Sequence, residues 1–431
     1  MMRLHKFLLG FLILGATATV ALGSTDYYTA GFFTRGADTA FFIDSGDPVF
    51  DPFHVPMQRW ALVPRLTILA TRDDNLFMNA DNQAERGTVV HAIPGVALIY
   101  GRPEARHIFV DYGTIIPVYE DDDRLDDKVS HMLTLGGAYV TPKTRLYGRV
   151  GHRRLEDADT LVGARIVKKD YIANLALDYR LSGKTLLGAL GSFDRHEFDE
   201  ERYVDYERIY GALRVFYETT PRSQLFLQAG LGRDDLRGTE SFGDADFFDL
   251  AVGIRGKPSP KTAASGRVGY QWRTFEDDGL EDIEHWIASL YAEANPFGFT
   301  TFASELYADM RPAVNAQGTT TIDQRWTGSV TRRLFIERLR GNASLFLGRV
   351  NYRGPREVAD STGIDDFIFD RRRDNYWGYT LGLDWWWKHN ISTGLAYSYI
   401  ENRGARGTTE ELRDANSYEA HRWHLRLSWN Y

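Results

Sequence analysis

Arginine is the residue whose spacing in this chain suggests chemistry. Arg145, Arg149 and Arg153 lie four apart, Arg208 and Arg214 six apart, Arg267 and Arg273 six apart, and Arg422 and Arg426 four apart, with Arg180 between these sets. In an extended strand successive side chains point to opposite faces, so every even step returns to the same face. A guanidinium is permanently charged and offers five N–H donors in a planar fork. It is no acid or base near neutral pH, but a file of guanidinium groups binds carboxylate, sulfate or phosphate. Carboxylates are expected on the same inward faces, at Asp178, Asp249, Glu293, Glu305 and Asp384. Two roles are therefore open for the arginines: bracing pairs within a wall, or contact with an anionic solute.

Other chemistries find little support. The eleven histidines, His131, His152, His196 and His285 among them, show no metal-ligand spacing and no arrangement with a serine that would make a nucleophile. No glycine-rich loop suited to cradling phosphate occurs, so nucleotide-driven work has no site. Cysteine is absent, which leaves neither disulfides nor a cysteine-linked lipid anchor. The expectation is a protein with no catalytic residues, no metal and no cofactor. A formal net charge of -8 without a dominant basic patch argues against nucleic acid as a partner.

The elements that must position the arginines appear as a repeat. Thr141-Pro142-Lys143-Thr144, Ser182-Gly183-Lys184-Thr185, Thr220-Pro221-Arg222-Ser223 and Ser259-Pro260-Lys261-Thr262 return at steps of 41, 38 and 39 residues. Each leads into a run of alternating apolar residues such as Leu225-Phe226-Leu227-Gln228-Ala229-Gly230-Leu231. A longer acidic stretch and a second alternating run lead back to the next turn. That is one antiparallel hairpin per repeat, the pattern of an up-and-down transmembrane β-barrel with short periplasmic turns and long acidic extracellular loops. Eighteen candidate strands can be placed between residues 60 and 430, with sixteen as the alternative count.

Strand parity predicts two faces. Tyr171, Ala173, Leu175, Leu177 and Tyr179 are expected outward, with Asn174, Asp178 and Arg180 inward. Ile209, Leu213, Val215 and Tyr217 leave Arg208 and Arg214 inside, and Val268, Tyr270 and Trp272 leave Arg267, Gln271 and Arg273 inside. Trp423, Leu425, Leu427 and Trp429 leave Arg422, His424 and Arg426 inside, and the chain ends on the aromatic Tyr431. A mean hydropathy of -0.37 does not oppose a membrane location, because only alternate residues of such a strand face lipid. Tyr376-Trp377, Trp385-Trp386-Trp387, Tyr397, Tyr399, Trp423 and Trp429 are expected in aromatic girdles. Inward Tyr210 and Phe226 suit either wall packing or stacking on sugar rings.

At the start, Arg3, His5 and Lys6 precede the apolar run Phe7 to Ile13, and small residues surround Ala21-Leu22-Gly23. Residues 1–23 are expected to be a signal peptide, and residues 24–58, rich in Phe, Gly and Asp, a periplasmic tail or a plug. The barrel is expected over residues 59–431. Acidic clusters at Glu120-Asp121-Asp122-Asp123, Glu200-Glu201 and Glu276-Asp277-Asp278 are expected in the external loops, near lipopolysaccharide.

The stretch Arg72-Asp73-Asp74-Asn75-Leu76-Phe77, after a strand containing Pro64-Arg65-Leu66-Thr67-Ile68, resembles the opening of the β-barrel porin type 2 family. Pro94-Gly95-Val96-Ala97-Leu98, Val140-Thr141-Pro142-Lys143-Thr144-Arg145-Leu146 and Tyr217-Glu218-Thr219-Thr220-Pro221-Arg222-Ser223 add to the likeness. So do Arg373-Asp374-Asn375-Tyr376 and Asn416-Ser417-Tyr418-Glu419-Ala420-His421-Arg422. The resemblance implies an outer-membrane barrel tied to export of capsule or exopolysaccharide, and it supplies no catalytic residues. The resulting expectation is an outer-membrane pore that passes an anionic exopolysaccharide, working with outer-membrane lipid and periplasmic export machinery. A diffusion porin for small anions and a structural surface-anchoring barrel are the alternatives.

Overall fold

The computed structural model describes residues 60–76, 84–102, 105–120, 129–159, 164–200, 203–237, 244–277, 280–313, 320–353, 373–388, 390–405 and 417–430. The expected signal peptide, the 24–58 segment, Tyr431 and much of the acidic loop sequence lie outside them. The described chain forms strands β1 (Trp60–Asp73), β2 (Gly87–Arg102), β3 (Arg106–Tyr119), β4 (Ser130–Val140), β5 (Thr144–Asp159) and β6 (Ala164–Arg180). It continues through β7 (Thr185–Phe198), β8 (Asp205–Thr220), β9 (Ser223–Arg237), β10 (Ala245–Ser259), β11 (Thr262–Phe275) and β12 (Ile283–Ala294). The last third holds β13 (Thr300–Pro312), β14 (Thr320–Arg333), β15 (Leu339–Arg353), β16 (Arg373–Lys388), β17 (Ile391–Ala405) and β18 (Tyr418–Asn430).

Every strand pairs antiparallel with its sequence neighbours, and β1 pairs with β18 from Arg65↔Asn430 to Asp73↔Arg422. The sheet is therefore a closed barrel of eighteen strands, and the sixteen-strand alternative falls. Strand starts agree with the sequence pattern to within two residues. Several strands run further toward the loop end than the pattern suggests, as β5 does to Asp159 and β17 to Ala405. Backbone pairing continues there past the lipid band, where both faces are polar and the alternation that marks a strand in sequence fades.

The repeated turn has a common mechanism. The hydroxyls of Thr141, Ser182, Thr220 and Ser259 accept from the N–H two residues on, at 3.3, 3.3, 3.2 and 3.2 Å. A Ser or Thr hydroxyl that captures a nearby backbone donor imitates a turn, and Pro or Gly at the next position suits the tight bend. Just before the fourth turn, Gly256 sits at φ 143°, where an added Cβ would lie 2.1 Å from the Arg222 carbonyl oxygen. Only glycine adopts that conformation without strain.

The barrel is apolar outside and polar inside. Leu213, Leu227 and Leu231 are 69%, 63% and 67% exposed, while their inward neighbours Arg214, Gln228 and Asp234 are buried. Near the loop end, outward Phe248, Tyr270, Trp272 and Trp286 touch ring to ring, as do Trp377, Tyr379, Tyr397, Tyr399 and Trp423. Trp60 and Tyr100 pack together at the turn end. Two expected girdle residues belong elsewhere. Tyr376 is buried on the inner face and donates to Asp323 at 3.0 Å, and Trp386 shares the inward parity and lies under Arg340. Adjacent aromatics in a strand cannot all face lipid. A closed strand barrel satisfies every ladder hydrogen bond internally, and an apolar exterior between aromatic belts meets hydrocarbon. The protein is a β-barrel of the bacterial outer membrane.

Candidate functional site in the barrel lumen

The inner wall is smoothed by glycines that aromatic rings cover. A Cβ on Gly230 would lie 2.2 Å from the Tyr210 hydroxyl, one on Gly253 2.1 Å from Phe226, and one on Gly188 2.7 Å from Phe216. The rings lie flat along the wall instead of standing into the lumen. Tyr210 and Phe226 thus take the packing role of the two that the sequence leaves open.

Over this surface, β5 to β11 carry an ionic network at several heights. Nearest the turn end, Arg255 stretches over the Phe216 ring, its guanidinium carbon 3.7 Å from the centroid. It reaches Asp178 on β6 at 2.5 Å, both side chains being buried. Substituting Gly188 would push Phe216 and Asp178 together out of this arrangement. At mid-height Arg214 donates to Gln228 at 2.7 Å, and Tyr210 and Arg267 converge on Asp249 at 2.7 and 3.3 Å. Toward the loop end Arg208 forks onto Asp234 at 2.7 and 2.9 Å, and Arg273 reaches the same carboxylate at 2.6 Å. Arg153 and His196 flank Asp170 in the same half.

A second group joins the strands around the closing seam. Arg422 meets Asp73 at 2.6 Å, Arg65 meets Asp111 at 2.6 Å, and Arg426 contacts Asp384. His424 is held between Thr71 and Ser398 at 3.0 Å from each. The Asp73-Asp74-Asn75 motif belongs to this seam. The Asp74 carboxylate accepts from the His421 N–H at 2.6 Å, and buried Asn75 donates to the Glu419 carbonyl at 3.0 Å. The two ends of the family-like pattern are thus in contact.

One hairpin departs from the cylinder. β12 pairs with β13 only from Ala288↔Ala308 to Ala294↔Phe302, so Ile283–Ile287 and Asp309–Pro312 have no ladder between them. The loop end of β13 instead crosses toward β8 and β11. Arg208 donates to the Met310 carbonyl at 2.8 Å and approaches Asp309 at 3.5 Å. Arg273 reaches the same carbonyl and the Thr320 hydroxyl, each at 3.4 Å. Met310, Ala313 and Thr320 have no exposed surface. The β13–β14 hairpin is therefore tied across the inside of β12 and narrows the lumen at its loop end.

Of the ten arginines predicted from sequence, eight are engaged as described: Arg153, Arg208, Arg214, Arg267, Arg273, Arg422 and Arg426 above, and Arg180, which holds Glu218 at 2.6 Å. Arg149 lies half-buried between Arg145 and Arg153 on β5, and Arg145 is exposed at the turn end. Sequence reasoning missed Asp170, Arg255 and Asp309, although each shares parity with a residue already assigned inward (Asp178, Asp249 and Glu305). It missed Asp234 because β9 was expected to end one residue earlier. Among the described residues no cluster of His, Asp or Glu could hold a metal ion.

No family profile matches the chain, and no curated protein matches it. Solved structures similar to it include Pseudomonas aeruginosa OpdO, at 11% identity over 87% of this chain and 98% of that one, with a TM-score of 0.45. Acinetobacter baumannii OccAB4 is similar at 12% identity over 87% and 99%, with a TM-score of 0.44. A bacterial polysaccharide outer membrane secretin is similar at 10% identity over 85% and 98%, with a TM-score of 0.33. The chemistry of the lumen rests on this chain's own residues.

Proposed function

We propose that the barrel is an outer-membrane pore through which an anionic exopolysaccharide passes, as the resemblance to the β-barrel porin type 2 family implies. The observation that carries this reading is a continuous file of cations on the inner wall. Arg145 stands at the turn end, Arg255, Arg214 and Arg267 follow, and Arg208 and Arg273 lie toward the loop end. Rings of arginine favour anions in a pore. Asp178, Asp249 and Asp234 fix Arg255, Arg267 and Arg208, Gln228 fixes Arg214, and Arg145 is exposed on the inward face of β5. The conduit is passive: energy comes from periplasmic and inner-membrane partners. The reading assigns no catalytic residue.

A porin for small anions is the second reading, and the inward β13–β14 hairpin favours it because it narrows the path. Planar-bilayer recording with a sodium chloride gradient tests both. An anion-selective reversal potential that Arg145→Glu moves toward cation selectivity is expected. Cation selectivity in the unaltered protein would overturn both readings. Liposomes loaded with oligogalacturonate then separate them, since release of the oligomer supports the conduit and release of small anions alone supports the porin.

A further inference from the structure

The residue two places after the Ser or Thr is basic in all four repeated turns: Lys143, Lys184, Arg222 and Lys261. All four are exposed, and the turn hydroxyl fixes the N–H of each at a hairpin tip. These turns join β4–β5, β6–β7, β8–β9 and β10–β11, so consecutive tips stand two strands apart, roughly 10 Å along the rim. Exposed Arg338, in the turn after β14, and exposed Lys388, the last residue of β16, continue the ring, and Arg145, Arg333 and Arg340 share the inward parity just above it. The carboxylates at the rim, among the described residues, are Glu218, Glu293 and Glu337, and Asp178 and Asp384 stand opposite Arg145 and Arg340. Glu218 is held by Arg180, Asp178 by Arg255 and Asp384 by Arg426. Lys261 donates to the Pro296 carbonyl at 2.6 Å, a contact that leaves its charge uncompensated. The opposite rim carries Glu120, Glu200, Glu276, Asp277, Glu281 and Asp282.

We propose that this periplasmic ring is a docking site for a polyanionic chain entering the pore, an inference that rests on the conduit reading and names the first contact of its cargo. Three observations set the ligand class. Tips about 10 Å apart are too distant to chelate one small anion, whereas linked charges on a polymer meet several at once. That spacing is close to the Debye length near 0.1 M salt, about 10 Å, so the fields of neighbouring tips overlap. The cations that serve the bilayer interface are distinct: Arg106 lies over Tyr139 at 4.4 Å and Arg332 over Phe299 at 5.2 Å, both on the lipid-facing aromatic belt. The turn-tip residues have no such aromatic partner among the described residues.

The test uses the full chain in phosphatidylcholine nanodiscs, which carry no anionic lipid, and fluorescein-labelled polygalacturonate as probe, read by anisotropy. Saturable binding that weakens steeply with salt is expected, with neutral dextran inert. The combined variant K143E/K184E/R222E/K261E is expected to lose at least tenfold in affinity, and the matching glutamine variant an intermediate amount. Heat-modifiable gel migration checks that each barrel is folded. Binding that matches dextran, or that neither folded variant changes, overturns the proposal; an acidic protein as the true occupant would give the first of these results. Polymer binding without polymer-permeable pores would sink the conduit reading alone, and permeation without binding would sink the docking ring alone.

Discussion

Arg422 and Asp73 meet across the seam between the last and first strands, each side chain about 5% exposed. A buried pair of this kind adds little over an apolar pair of the same shape, but deleting one partner strands the other's charge and costs about 3–5 kcal/mol. Asp73 also accepts the Asn75 N–H at 3.0 Å, so its loss unfastens the turn that leads off β1. Asp73→Ala is expected to lower the temperature at which the folded, fast-migrating gel band disappears. Adding Arg422→Met should restore part of that loss, because the stranded cation is then gone. A double variant worse than the single one would show that the pair does not act through its charge.

Among the elements, the β13–β14 hairpin is held inward by side chains rather than by a ladder. Its anchors are two guanidinium groups, Arg208 and Arg273, that share Asp234 and the Met310 carbonyl. A hairpin whose loop end lacks a partner strand on one side is free to swing once such anchors go, and released segments open on microsecond to second scales. The double variant Arg208→Ala/Arg273→Ala should therefore raise single-channel conductance about twofold and add fast flicker, with Asp234→Asn weaker in the same direction. An unchanged conductance would mean that the narrowest part of the lumen lies elsewhere. The Ser/Thr turns work differently, because each carries its own hydrogen bonds and depends on no distant residue.

For the whole molecule, the consequence is a charge polarity along the barrel axis, basic at the turn end and acidic at the loop end. Fixed charges of opposite sign at the two mouths make ion flow easier in one direction. Currents at about 0.1 M salt should rectify, and at about 1 M, where the Debye length falls to about 3 Å, the current–voltage curve should become straight. Equal curvature at both salt concentrations would point to a moving part instead of fixed charge. The same polarity suits anion entry from the periplasmic side.

What the sequence determined by itself was the period-two alternation, and with it the lipid face and the inward side of Arg208, Arg214, Arg267 and Arg273, while the choice of eighteen strands over sixteen waited for the β1–β18 closure. The pleat alone sets which side a residue faces, so parity needs no knowledge of neighbours. Turn chemistry is equally local, since Thr141 and its three counterparts bond backbone only two residues away. Partner choice was not legible. Asp234 between Arg208 and Arg273, Arg255 reaching Asp178 across Phe216, and Asp73 meeting Arg422 all depend on barrel stagger and closure, which bring together residues up to 349 positions apart. Tyr376 and Trp386 leave the expected girdle because neighbouring residues of a strand face opposite sides, so only alternate members of an aromatic run meet lipid. The inward turn of the β13–β14 hairpin was decided only in the tertiary structure, where two buried guanidinium groups take over from a missing strand ladder.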